Sequence, residues 1–183
     1  MGRGLAPGFR FLDLGAGGGL PGLVIAGLAP SSTGVLLDGR TERARLLEGH
    51  VELLGWGSRL AVVAVRAELV ARDLRHRGAF DLVVARGFGP PPVTAECAAP
   101  FLRLSGLLVV SEPPEATGAR WAAEPLAALG LEPVGPVAVV ETAAGQAHYQ
   151  VLRQVRPCPD RWPRRVGIPA KRPLYPVDAA PVG

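Results

Sequence analysis

The residues best suited to chemistry lie near the start of the chain, in Asp13-Leu-Gly15-Ala-Gly17-Gly-Gly19-Leu20-Pro21-Gly22. An acid just ahead of alternating glycines suits a nucleotide-type cofactor, because glycines let the backbone turn sharply and approach a ligand with no Cβ in the way. Two ligand chemistries compete. A dinucleotide site of the G-x-G-x-x-G type holds a pyrophosphate at the N-terminus of the following helix. The spacing Asp13-x-Gly15-x-Gly17-x-Gly19 suits instead a phosphate-free cofactor carrying an amino acid and a sulfonium, S-adenosylmethionine. On this stretch alone, a glycine turn without a ligand stays open as well.

Further candidates stand where predicted strands end. Asp38 closes the second strand, the place from which a carboxylate accepts hydrogen bonds from a ribose diol. It could equally serve as the N-cap of the next helix. Arg66-Ala67-Glu68 follow the third strand and Arg86 the fourth, so all four reach the edge where the glycine loop lies. Arg86 either faces a ligand or pairs with a nearby acid. Cys97 and Cys158 lack metal-ligand spacing and are too few for a disulfide framework. Cys97 reads as an inert buried thiol, His50 and His76 as surface residues, and His148 as structural.

The elements that position these residues follow from periodicity. Phe9 to Leu14, Val35 to Leu37, Leu60 to Val65, Phe80 to Ala85 and Leu107 to Ser111 are short apolar runs bounded by turn residues, the pattern of buried strands. Between them helices are expected from Gly22 to Ala29, Thr41 to Leu54, Val70 to His76 and Val93 to Leu102, with one more from Ala119 to Leu129. Val134 to Glu141 and His148 to Gln154 flank the Gly145 turn and read as an antiparallel pair. This alternation predicts an α/β, Rossmann-like fold: a mostly parallel seven-stranded sheet with helices on both faces. The expected organisation is one domain over residues 1–155 and a basic, Pro-rich tail over residues 156–183.

Charge is unevenly distributed. Residues 1–152 carry 13 Arg against 14 acids, whereas residues 153–172 carry six Arg and Lys171 against Asp160. A basic segment beside a near-neutral body calls for a polyanionic partner; the alternative is an extended, idle C-terminus stiffened by proline. No charged and apolar leader and no membrane-length apolar run is present, so a soluble, cytoplasmic protein is expected; a monomer is expected as well.

Four stretches together, Phe11-Leu-Asp-Leu-Gly-Ala-Gly-Gly-Gly-Leu-Pro-Gly22, Arg66-Ala67-Glu68, Val84-Ala85-Arg86 and Arg161-Trp-Pro-Arg-Arg-Val-Gly-Ile-Pro-Ala-Lys-Arg-Pro-Leu174, resemble the RsmG (GidB) family of bacterial small-subunit ribosomal RNA methyltransferases. The resemblance implies a class I S-adenosylmethionine-dependent methyltransferase fold, S-adenosylmethionine as cofactor, and methyl transfer to N7 of a guanosine in 16S ribosomal RNA. It implies ribosomal RNA or the small subunit as partner, and neither metal nor membrane. Carried across by motif, cofactor contacts fall on Gly15, Leu20, Ala67, Glu68 and Arg86, with Gly17 and Gly19 in the same loop and Asp38 near the ribose. Arg164, Arg165, Lys171 and Arg172 are implied to help hold RNA. No catalytic residue is expected, because guanine N7 presents its lone pair at neutral pH and needs no general base.

Two departures accompany the likeness. The family carries a helical extension where this chain has eight residues ahead of the first strand, and a Lys-Gly where it has Ser111-Glu112-Pro113. An acid replacing a cation near a polyanion is unfavourable if that site touches phosphate. A fragment, or a divergent member with altered substrate or reduced activity, is therefore expected. Three rivals stay open: a methyltransferase for a small molecule or protein, a non-catalytic RNA-binding remnant, and a nicotinamide-dependent oxidoreductase.

Overall fold

Strand faces alternate with period two, and in this chain both faces of most strands are apolar, so the sheet has to be covered on both sides. The structure is a computed structural model that describes residues 5–143 and 145–176. The parallel strands are β1 (Arg10–Leu14), β2 (Thr33–Leu37), β3 (Leu60–Val63), β4 (Phe80–Ala85) and β5 (Leu102–Glu112). Three antiparallel strands complete the sheet: β6 (Leu131–Pro133), β7 (Ala138–Thr142) and β8 (Gly145–Gln154). The order is β3-β2-β1-β4-β5-β8-β6, with β7 also on β8. Both β6 and β7 lie on the side of β8 away from β5, so eight strands fill the seven positions that the sequence predicts. Pro133, which cannot donate to a ladder, and Gly135 at φ 89° interrupt that edge.

The helices are α1 (Gly22–Leu28), α2 (Thr41–Leu53), α3 (Ala67–Val70), α4 (Pro91–Ala98), α5 (Ala123–Leu129) and α6 (Ile168–Lys171). Phe11 of β1, Leu36 of β2, and Leu82 and Val84 of β4 pack with Ala26 of α1 and with Leu47 and Val51 of α2. The alternate residues Leu12, Leu14, Val35, Leu37, Val83 and Ala85 pack against α3, α4 and α5 on the other face. One alternating pattern thus generates both cores.

Several expectations shift. The helix expected over Val70 to His76 lies earlier, at α3, because the Asp73 carboxylate accepts the Arg75 N–H at 2.9 Å and turns the chain away from helix. β5 begins at Leu102, ahead of an irregularity at Ser105 (φ 66°) and Gly106; a Cβ on Gly106 would meet the Phe80 carbonyl oxygen at 2.9 Å. Leu54, expected on the buried stripe of α2, is exposed.

The chain after β8 is neither extended nor free. It folds back over α3 and α4, where Cys158, Trp162 and Leu174 pack on the core. Arg77 holds it: its guanidinium donates to the carbonyls of Cys158, Pro159 and Trp162 at 2.9, 3.0 and 3.0 Å. Arg72 adds a bond to the Pro163 carbonyl at 2.6 Å. Hydrogen bonds from a charged donor contribute about 1.5–3 kcal/mol each when well formed. Arg77→Ala is therefore expected to cost roughly 2–4 kcal/mol and to make residues 156–165 protease-sensitive. An unchanged melting curve and cleavage pattern would show that the clamp contributes nothing.

Candidate active site

β1 has β2 on one side and β4 on the other, so the connections leaving β1 and β4 diverge and a crevice opens at their carboxyl ends. The glycine loop enters this crevice. Gly15, Gly17 and Gly19 have φ of 75°, 54° and 97°, the left-handed region that side chains disfavour. Space is also short: a Cβ on Gly15 would stand 2.8 Å from the Phe88 ring, and one on Gly22 2.5 Å from Leu36. The Gly15 and Ala16 N–H groups donate to the Leu37 carbonyl at 2.8 and 3.0 Å, which ties the loop to the end of β2.

Two carboxylates hold the rest of the loop. Asp13 Oδ2 accepts the Gly22 N–H at 2.7 Å, and Asp38 Oδ2 accepts the Gly17 N–H at 2.9 Å. A pyrophosphate would need such amides, and here they already serve anions belonging to the protein. Two carboxylates hold loop amides that a phosphate would need, and the cleft wall also carries Arg40, Arg43 and Arg66. The dinucleotide reading thereby loses two of the amides it would use. The other oxygen of Asp38 accepts the Arg40 N–H at 2.9 Å, and no side chain caps α2, so Asp38 is not a helix cap.

Asp13 is 1% exposed, and its Oδ1 is buried without a hydrogen-bond partner. Burial pushes its pKa from 3.8 up to about 6, the Gly22 N–H opposing and the nearby Asp38 charge adding to the rise. Burial alone would also raise Glu68, but the Gly167 N–H, Glu68's own N–H and Arg66 outweigh it and hold that carboxyl below its usual value.

A cleft of about 240 Å³ opens here, with Gly15, Asp38, Ala67 and Glu68 on its wall together with Phe88 and Ala170. A backbone cradle free of Cβ atoms beside the Asp38 and Glu68 carboxylates fits a compact cofactor with a cationic centre. Arg86 and Leu20 line a second cleft of about 490 Å³, shared with His148 and Tyr149. Arg86 and Gly87 are consecutive and line different clefts, so the two adjoin. Arg86 is exposed and has no acid partner among the described residues. Also among them, no helix is long and apolar enough to cross a membrane, and no group of three His, Cys, Asp or Glu gathers as metal ligands would.

The profile of the family described as rRNA small subunit methyltransferase G matches residues 4–113. The chain belongs to that family. Curated ribosomal RNA small subunit methyltransferase G proteins agree: that of Prochlorococcus marinus (strain MIT 9303) is 36% identical over 90% of this chain and 68% of its own length. That of Symbiobacterium thermophilum is 36% identical over 93% of this chain and 72% of its own. Among solved structures, a 16S rRNA (adenine(1408)-N(1))-methyltransferase W203A mutant from Catenulisporales acidiphilia superposes with a TM-score of 0.65 at 16% identity, covering 82% of this chain and 87% of that one. The fold is that of class I S-adenosylmethionine-dependent methyltransferases.

Within this chain the basic segment divides. Arg165, Lys171 and Arg172 are exposed and make no ion pair among the described residues. Arg164, expected with them at RNA, instead pairs with Glu96, whose side chain is fully buried, at 2.5 Å. The departure at Glu112 also has a local answer, because its carboxylate is 2% exposed and bonds Arg120 and the Trp121 indole N–H. Its charge is neutralised rather than presented to a polyanion. His148, read as structural, sits opposite Glu112 on β8 and on the wall of the second cleft. Phe88 was within reach of the strand-end argument, being two residues beyond Arg86. Nothing in the sequence pattern signals Ala170.

Asp13 has a measurable consequence. Between about pH 4 and 6 the folded chain retains a proton that the unfolded chain has released, so its stability falls as pH rises through that window. Asp13→Asn keeps an acceptor for Gly22 and is expected to abolish this loss, on the order of 2–3 kcal/mol, in urea unfolding followed from pH 4 to 7. A slope that survives the substitution would place its origin elsewhere.

Proposed function

We propose that the chain transfers a methyl group from S-adenosylmethionine to N7 of a guanosine in small-subunit (16S) ribosomal RNA. The observation that carries the cofactor assignment is the pair of bonds from Gly17 and Gly22 to Asp38 and Asp13, which occupies amides of a glycine loop at a strand switch point that a pyrophosphate would need. Membership of the rRNA small subunit methyltransferase G family supplies the substrate class. Gly15, Gly17 and Gly19 shape the loop around the cofactor, with Leu20 and Arg86 at the junction with the second cleft. Asp38 holds the ribose, since each of its oxygens retains a lone pair beyond its one backbone bond. Ala67 and Glu68 line the far wall.

When bound, S-adenosylmethionine supplies a sulfonium methyl that the N7 lone pair can take, the C–S electron pair staying on sulfur. No proton moves, so no side chain has to act as acid or base. Positioning then carries the reaction, worth up to about 7–11 kcal/mol in favourable cases. N7 lies on an edge that the A-form helix hides, so the base must be splayed out. The second cleft, with Leu20, Arg86, His148 and Tyr149 on its walls, is open to such a base. Residues 1–155 form the methyltransferase domain in this reading, and the segment beyond brings RNA-binding cations to it.

Two measurements test the proposal. Purified chain and labelled S-adenosylmethionine should yield N7-methylguanosine in small-subunit RNA, and Asp38→Ala should weaken S-adenosylhomocysteine binding about 10- to 100-fold; label appearing on another atom, or unchanged affinity, refutes the corresponding assignment. Changing Arg165, Lys171 and Arg172 together to Ala should reduce the salt slope of RNA binding by about 2. An unaltered slope would remove those cations from the RNA contact.

A further inference from the structure

The segment that carries the RNA-directed cations has an inner side as well as an outer one. Arg164 donates from its Nε and Nη2 to the two oxygens of Glu96 at 2.9 and 2.5 Å, and its backbone N–H adds a third bond at 2.9 Å. Glu96 lies on α4 between Val93 and Cys97, both on the wall of the first cleft. Three residues after Arg164, the Gly167 N–H donates to Glu68 Oε1 at 2.9 Å, and Glu68 lines the same cleft. Ala170 completes that stretch of wall, and its neighbour Pro169 is buried.

We propose that residues 164–170 brace one wall of the cofactor cleft, reaching it at Ala170, and that Arg164 is a positioning residue for cofactor binding, not an RNA contact. The proposal rests on the reading of the first cleft as the S-adenosylmethionine site. Glu68 and Glu96 are 4% and 0% exposed, and each depends on this segment for a hydrogen bond. Without it, the buried Glu96 carboxylate needs water or another partner, Glu68 keeps only Arg66 and its own N–H, and the side of the cleft built by α3 and α4 opens. The geometry also removes Arg164 from RNA: a phosphate would have to displace a two-pronged bond to a buried carboxylate. Arg165, Lys171 and Arg172 face no such competition.

The test is calorimetric titration of S-adenosylhomocysteine into the full chain and its Arg164→Ala and Arg164→Lys variants, with the salt dependence of RNA binding and thermal stability measured in parallel. Arg164→Ala is expected to bind S-adenosylhomocysteine at least about tenfold more weakly while folded, and to keep the RNA salt slope of the parent chain. Arg164→Lys, which keeps the charge and loses the fork, should recover part of the affinity. In the parent chain, S-adenosylhomocysteine should slow hydrogen exchange of the Arg164 and Gly167 amides, a readout that needs no variant to fold. A folded Arg164→Ala with undiminished affinity, a lowered RNA salt slope with cofactor affinity intact, or no added protection at these amides overturns the proposal. A parent chain that is folded but does not bind S-adenosylhomocysteine overturns the cofactor reading itself, an outcome distinct from the other three.

Discussion

The bond from Gly22 to Asp13 is the constraint on which the rest of the site depends. It joins the end of β1 to the start of α1, and so fixes where the loop between them can run. A carboxylate buried this deeply is costly, and only half of it is repaid within the chain, because Oδ1 has no partner. An unpartnered buried oxygen held beside the glycine loop is a cost that functional sites retain. Asp38 repeats the arrangement from the neighbouring strand. The two acids both hold the loop and occupy amides that a phosphate would need.

Glu96 and Arg164 illustrate how a buried ion pair serves geometry. Such pairs seldom add net stability, because desolvation offsets most of the Coulomb attraction, yet breaking one by removing a single partner costs about 3–5 kcal/mol. The pair therefore selects one docked arrangement of the C-terminal segment over all others. Arg77 and Arg72 reinforce the choice by holding backbone carbonyls that would otherwise lack partners. A stretch rich in proline and arginine is ordered by these hydrogen bonds together with the packing of Cys158, Trp162 and Leu174 on the core.

Glu112 shows a different accommodation. An acid at the end of β5 would oppose a polyanion if it faced outward, but Arg120 and Trp121, both within ten residues downstream, take its carboxylate. The neutralisation is local in sequence and complete within one turn of chain. A departure from the family's pattern thus carries its own compensation: Glu112 and Arg86 both line the second cleft, Glu112 paired and Arg86 without an acid partner among the described residues.

What the sequence determined by itself was everything that depends on periodicity and strand ends. Near-continuous apolar runs from Phe11 to Leu14 and from Leu82 to Ala85 dictate a sheet buried on both faces, and such a sheet places the residues after each strand at one edge. Gly15, Asp38, Ala67 and Glu68 reach one cleft for that reason. Only the tertiary structure decided which cations are free. Arg164 and Arg165 are adjacent and chemically identical, and what separates them is Glu96, 68 positions earlier in the chain. The same holds for Ala170, for the split of the edge strand around Pro133, and for Leu20 and Arg86 falling to a second cleft. Pairing between distant segments is settled by burial and by the need to satisfy buried carboxylates, and neither is written in the spacing of neighbours.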